Sequence, residues 1–228
     1  MKNSVIKKLA AGWQQYQSEH HSRHEGRYAS LAEKQDPKVL FITCADSRIE
    51  PAVMFQSEPG DLFVARNPGN IVPPYGAVLG GASASLEYAL TVLSVSDIIV
   101  CGHSNCGAMK GLLYPQGLKQ MPLVSNWLKF ASAAHMMHQP FRRSTPLAQR
   151  IACLAQENAV VQLDHLKTYP AVASKLARLQ VRLHAWHYDI RTGGITCFDP
   201  ESGAFRPLAT DTPPAYSRRS QVGRTERR

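Results

Sequence analysis

Two stretches decide how this chain is read: Cys44-Ala45-Asp46-Ser47-Arg48 and Gly102-His103-Ser104-Asn105-Cys106-Gly107. The first follows Lys38-Val-Leu-Phe-Ile-Thr43 and the second follows Asp97-Ile-Ile-Val-Cys101, both short apolar runs rich in β-formers. Such runs, bounded by polar and turn residues, are buried strands that end where the loops begin. Two thiols, one imidazole and one carboxylate therefore leave the carboxyl ends of two strands. In an open parallel sheet those ends line the ligand crevice. Two thiolates with one imidazole form a borderline-soft donor set that suits tetrahedral Zn2+. His-x-x-Cys alone is a weak signal, as is Cys-x-Asp alone. Both at strand ends, with Arg48 two residues past Asp46, make a strong one.

Zinc held by Cys44, His103 and Cys106 would carry no formal charge and keep a fourth position. If Asp46 fills that position, the site is closed and structural. If water fills it, the metal supplies hydroxide near neutral pH. Arg48 can take Asp46 in a bidentate pair, which keeps the acid off the metal. One carboxylate oxygen is then left to accept a hydrogen bond from the zinc-bound hydroxide and aim its lone pair at carbon. Mere capping of the next helix would not explain why Asp46 and Arg48 both flank Cys44. The glycine spacing of Gly102–Gly107 suits a phosphate loop, but Ala108 and Met109 stand where Lys and Ser/Thr would be needed.

Composition narrows the remaining classes. The chain has 228 residues, 44% of them hydrophobic, enough for one sizeable core. No apolar run is long enough to span a membrane. The N-terminus lacks a continuous apolar stretch with a cleavage site, so no signal peptide is expected. Five cysteines, two of them proposed ligands, fit a reducing cytoplasm better than a disulfide scaffold. The net charge of +9 is concentrated at the end: Ser217–Arg228 holds five Arg and one Glu. With no reading helix or RNP-type strand beside that charge, nucleic-acid binding is not expected.

Along the chain, Ile6, Leu9, Trp13 and Tyr16 form one helical face, so residues 3–32 are expected to make one or two helices. His20 and His24 are spaced as a metal pair, but with no third ligand near they are expected to be a polar face. Strands are expected over 38–43, 62–65, 97–101, 181–190 and 195–199, the last two joined by the turn 191–194. Helices are expected over 49–56, 83–94, 123–138, 146–169 and 171–179. Residues 66–76 form a turn-rich loop. Cys101, Cys153 and Cys197 are expected to be core thiols, and His135, His138 and His165 surface or satisfied histidines. The fold expected is α/β: a mostly parallel central sheet of about four parallel strands plus an antiparallel edge strand, flanked by helices, with an N-terminal helical arm. One domain covers 1–210, and the basic tail 211–228 is expected to be disordered.

At these motifs the chain resembles the β-class carbonic anhydrases, which carry Cys-x-Asp-x-Arg and a later His-x-x-Cys. The resemblance extends through Glu58-Pro-Gly-Asp-Leu-Phe-Val-Ala-Arg-Asn67, Gly80-Gly-Ala-Ser-Ala-Ser-Leu-Glu-Tyr88 and Ala185-Trp-His-Tyr-Asp189. It looks closest to bacterial members associated with cyanate breakdown. It implies reversible hydration of CO2 to bicarbonate, with one Zn2+ per subunit on Cys44, His103 and Cys106, and Asp46 as the exchangeable ligand. It further implies that Gln35 donates to a substrate oxygen and that Phe63 and Tyr88 form an apolar wall, Tyr88 from the adjacent subunit. Gly107 would leave room beside His103. The helical arm would lie across a neighbouring subunit of a homodimer or larger assembly. The family usually has a small apolar residue where Pro68 stands, at the mouth of the site. One branch closes its site with bicarbonate and has Trp where Phe41 stands, so the open state is expected here at neutral pH. Because two thiolates donate more charge than two imidazoles, activity is expected to rise on the alkaline side. Two alternatives carry different chemistry. One is a non-catalytic protein whose zinc is closed by two cysteines, a histidine and an aspartate; the other is a zinc-free thiol-bearing domain.

Overall fold

The computed structural model describes residues 3–138, 144–211 and 215–216. The chain separates into two units, Met1–Asp36 and Pro37–Arg228. The first is helical: α1 (Asn3–Gln15) and α2 (Glu25–Glu33), joined by a π-helical segment Tyr16–His21 and a 3₁₀ turn Ser22–His24. Aromatic contacts close the bend between them. The Tyr16 and Tyr28 hydroxyls lie 2.7 Å apart, His20 stacks on Tyr16, and His21 stacks on Tyr28. The His20 and His24 rings are 4.6 Å apart, and among the described residues no third ligand-type side chain completes a group with them.

The second unit runs β1 (Val39–Cys44), α3 (Pro51–Phe55), β2 (Leu62–Asn67), α4 (Gly81–Thr91), β3 (Asp97–His103), α5 (Gly107–Leu113), α6 (Pro122–Leu128), α7 (Ser132–His138), α8 (Leu147–Lys167), α9 (Pro170–Ala177), β4 (Arg182–Tyr188), β5 (Ile195–Asp199) and β6 (Ala204–Pro207). The strands form one sheet in the order β2-β1-β3-β4-β5-β6. The pairings among β1 to β4 are parallel, and β5 and β6 join antiparallel. β1 is apolar throughout because both its faces are covered. Leu40 and Ile42 pack into the core shared with α4, α8 and α9. Phe41 points to the other side, against Ile99, Cys101, Trp186 and Phe55.

The chain leaves β1 for β2 on one side and returns for β3 on the other. The strand order therefore reverses at β1 and β3, and the crevice outside their carboxyl ends is where such sheets bind ligands. Gly102 lets α8 press onto β3 there: a Cβ at that position would stand 2.8 Å from the Ala155 carbonyl oxygen.

Several features differ from the sequence expectations: the helix expected over 123–138 is broken into α6 and α7 by a 3₁₀ turn at Lys129–Ala131, and β2 runs to Asn67, two residues into the expected loop. β3 runs two residues past its apolar run, because Gly102 and His103 pair with His187 and Tyr188; His103 thus ends a strand instead of opening a loop. The short helix α5 follows Cys106 directly. A second antiparallel strand, β6, extends the sheet, because Gly203 at φ +68° lets the chain reverse and donate its N–H to Asp199. Of the tail after Asp211, Ala215 and Tyr216 are described, and Tyr216 meets the sheet. That residue exchanges backbone hydrogen bonds with Leu183, where β5 leaves the edge of β4 free, and Lys167 Nζ sits 3.5 Å from its ring centroid. Residues 217–228 lie outside the described residues. No described helix is long and apolar enough to cross a membrane.

Candidate metal centre

Cys44 is the last residue of β1, His103 the last of β3, and Cys106 the N-cap of α5. Asn105, at φ +53°, turns the chain between His103 and Cys106, a conformation asparagine tolerates better than most residues. The two sulfurs and an imidazole nitrogen all lie within 4.8 Å of one another. Cys44, His103 and Cys106 are almost sealed from solvent, at 6%, 0% and 1% exposure. His103 Nδ1 lies 2.9 Å from the Ser104 carbonyl oxygen, which can only accept. That contact fixes the proton on Nδ1 and leaves a lone pair on Nε2, which is buried and has no partner.

The thiols are equally unsettled. The neighbouring Cys106 thiol is the main reason the Cys44 thiol is pulled well below its ordinary value. Burial opposes the effect, while the Gly69 N–H assists it. The neighbouring Cys44, then burial, push Cys106 well above its ordinary value. Two buried sulfurs this close can both be thiolates only beside a positive charge.

Around this group, Arg48 clasps Asp46. Arg48 Nε donates to Asp46 Oδ1 at 2.9 Å and Nη2 to Oδ2 at 2.7 Å, and the Arg48 backbone N–H adds a bond to Oδ1 at 3.0 Å. The Arg48 side-chain bonds, working against burial, hold the Asp46 carboxyl far below the usual carboxylate range. Arg48 also donates to the Asn105 carbonyl at 3.1 Å, tying the two motifs together. Asp46 Oδ2 stands 3.8 Å from His103 Nε2 and so faces the same space as the donors.

The arrangement can be set beside known proteins. A family model described as carbonic anhydrase matches residues 39–195. A carbonic anhydrase of Pseudomonas aeruginosa is 44% identical over 204 residues, covering 90% of this chain and 92% of that protein. The solved β-carbonic anhydrase CcaA superposes with a TM-score of 0.88 at 41% identity, covering 92% of this chain and 95% of the other. Tetrameric β-carbonic anhydrases from Sordaria macrospora give 0.74 at 28% identity, covering 90% of this chain and 99% of that one. The chain belongs to the β-class carbonic anhydrases. Its activity is the zinc-dependent, reversible hydration of CO2 to bicarbonate and a proton.

The donor set of this carbonic anhydrase fits its metal. The bare lone pair of His103 and the two buried sulfurs beside it are what a divalent cation of borderline softness satisfies. Other residues named from the sequence are placed less centrally. Phe63 and Tyr88 pack on each other, with ring centroids 5.9 Å apart. Phe63 is in register with Leu40, four residues back from Cys44, or about 13 Å along the strand. Within one protomer the pair is therefore not beside the sulfurs. Gln35 is exposed, in the N-terminal unit. A Cβ at Gly107 would meet nothing within 4 Å. Pro68 lines an open pocket of about 440 Å³ with Val64, Ala65, Gly81 and Trp127. Phe41 is fully buried, edge-on to Phe55 and Trp186.

Two contributors were not foreseen. Arg66 donates to the carbonyls of Cys44 (3.2 Å), Asp46 (2.8 Å) and Ile49 (2.6 Å), stapling the loop after β1. The Gly69 N–H donates to Cys44 Sγ at 3.4 Å. Arg66 had a sequence signal, as a long cation at the end of a strand next to β1. The role of Gly69 depends on tertiary contacts that no local pattern announces.

Proposed function

We propose that Cys44, His103 and Cys106 hold the zinc, and that Asp46 and Arg48 do the chain's own catalytic work in its open state. The convergence of three buried donors, one of them a nitrogen with a bare lone pair, carries this reading. Zinc, when bound, supplies the Lewis acidity that makes water a nucleophile near neutral pH. Asp46, held by Arg48, accepts a hydrogen bond from the attacking oxygen and orients it towards carbon. It can play that part only while Arg48 keeps it off the metal, and both of its oxygens are engaged by the guanidinium. Arg66 steadies the same loop through three carbonyls. CO2 and water leave as bicarbonate and a proton.

The remaining assignments follow from the same reading. Gln35 donates to a substrate oxygen, and Gly107 keeps open space beside the donors. Phe63 and Tyr88 form the apolar wall, and their distance along β2 from Cys44 within one protomer favours supply by a second copy. The protein works in the cytoplasm as a homodimer or larger homo-oligomer, with 1–210 acting as one catalytic domain.

Stopped-flow CO2 hydration with and without a chelator tests the core of this. Activity should vanish with the metal and return on adding zinc. Full activity in metal-free protein would end the proposal. Inactive protein that still binds one zinc per chain would favour the alternative, a structural zinc closed by Asp46.

A further inference from the structure

The inward face of α8 carries Ile151, Leu154, Ala155, Ala159, Leu163 and Leu166, yet Asn158 and Gln162 lie among them at 0% exposure. A buried amide is costly unless its donors and acceptors are satisfied. These two are satisfied in one orientation only. Asn158 Nδ2 donates to the Gly69 carbonyl at 2.9 Å, and Asn158 Oδ1 accepts from Gln162 Nε2 at 2.9 Å. Gln162 Oε1 accepts from the Val72 N–H at 2.8 Å, and its Nε2 lies 3.4 Å from the Phe130 carbonyl. Flipping either amide would set like groups against each other. The Val72 N–H therefore orients Gln162, and Gln162 orients Asn158.

The loop they hold is the one that touches Cys44. Gly69 and Asn70 both take positive φ, +80° and +48°, which is unusual for a non-glycine residue. Asn67 clamps Ile71 by accepting from its N–H (2.7 Å) and donating to its carbonyl (2.9 Å). Trp127 Nε1 donates to the Pro68 carbonyl at 2.8 Å. That carbonyl belongs to the same peptide unit as the Gly69 N–H, and the next peptide unit is the one Asn158 holds. With both units fixed, the Gly69 N–H points at Cys44 Sγ, 3.4 Å away.

We propose that Asn158, oriented by Gln162, is a positioning residue for the metal centre: it holds the Gly69 carbonyl so that the N–H on the other side of the Gly69 Cα donates to the sulfur of Cys44. The proposal rests on Cys44 being a zinc ligand. Outer partners of this kind are worth about 10- to 100-fold in metal affinity.

The test is the zinc affinity of folded Asn158→Leu, measured by competition with a chromophoric chelator. It is paired with the thiolate-to-metal charge-transfer band of the cobalt-loaded protein. Asn158→Leu should bind zinc at least about tenfold more weakly and shift the cobalt band. Leu166→Ala, on the same helix but in the core away from the sulfurs, should lower the melting temperature and leave both readouts unchanged. Unchanged affinity and band in Asn158→Leu would overturn the proposal. If that variant does not fold, Trp127→Phe decides: it removes the donor to the preceding peptide unit, the one that carries the Gly69 N–H, and weakened zinc binding supports the proposal while unchanged binding ends it. Cys44→Ser separates the two readings. If it loses zinc while Asn158→Leu keeps it, only the positioning role fails. If it keeps zinc, the ligand reading of Cys44 fails, and the positioning role with it.

Discussion

Each end of the parallel sheet holds an aspartate clasped by an arginine, and only one end is a site. At the carboxyl end, Arg48 grips Asp46 beside an imidazole nitrogen that has no hydrogen-bond partner among the described residues and two buried sulfurs that converge on it. At the amino end, Arg182 grips Asp97 just as tightly, with Nε to Oδ1 and Nη2 to Oδ2 both 2.7 Å. There His184 Nε2 bonds Oδ1 at 2.8 Å and the Ser96 hydroxyl donates to Oδ2 at 2.8 Å. Four hydrogen bonds fill the Asp97 carboxylate, and nothing at that cluster asks for a ligand. An ion pair does not mark function by itself. What marks it is three buried donor atoms turned on one another, one of them with its valence open.

The largest effect expected from breaking this contrast is at the open end. Cys106→Ser should lose zinc and at least about a thousandfold in CO2 hydration, since a typical enzymatic acceleration of about 10⁶ or more here depends on the metal. Metal analysis and stopped-flow assay together check this; a variant that retains both would remove Cys106 from the site. Arg48→Gln should do something different. Zinc should stay at one per chain, while the rate falls on the order of a hundredfold because Asp46 is no longer held in its role. A rate close to that of the parent would show that the pair is ornamental.

The open end was legible because its chemistry is local. Cys44, Asp46 and Arg48 span five residues and His103 to Cys106 four, and both apolar runs before them announce strands. The parallel sheet followed from the same runs. What escaped the sequence was non-local. Asp97 and Arg182 are far apart in the chain and meet only because β3 and β4 pair at their first residues. β6 depended on a glycine turn weaker than the one before it. Asn158 and Gln162 did leave a trace, as polar residues at core spacing on α8, but the partners that give them meaning sit in a loop with no periodicity.

A smaller effect sharpens the open end by pH. His187, near the carboxyl end of β4, is buried with its Nε2 unpartnered, and burial pulls its pKa down to about 4; Asp189 opposes this and His103 adds to it. Its folded value therefore lies below the unfolded one of about 6.5. Above about pH 6.5 it contributes no pH dependence. On acidification the unfolded chain takes up a proton that the folded chain refuses, and stability falls until about pH 4. The loss is roughly 3 kcal/mol over that window, at about 1.36 kcal/mol per unit. His187→Gln should flatten this part of the curve when denaturation midpoints of the two proteins are compared pH by pH. Parallel curves would mean that His187 is charged, or solvated, in the fold.

The smallest effect belongs to the filled end and carries the opposite pH signature. Burial pushes the Asp97 carboxyl upward, but the combined hydrogen bonds of His184, Arg182 and Ser96 outweigh it and leave the pKa well below the usual range. A depressed carboxylate stabilises the fold above the unfolded value, near about pH 4, and that contribution fades as pH falls through the folded value. Asp97→Asn should therefore cost about 2 kcal/mol at neutral pH, less than a fully buried pair would. The reason is that the Arg182 side chain is 58% exposed and its share is screened by water. The gap between parent and variant should hold steady from about pH 7 down to about 4 and narrow only below it. If it closed well above that range instead, burial would have won over the hydrogen bonds, and Asp97 would be a strained acid. Zinc content and CO2 hydration rate should not move in this variant, because Asp97 starts β3 while the donors stand at the opposite ends of the strands.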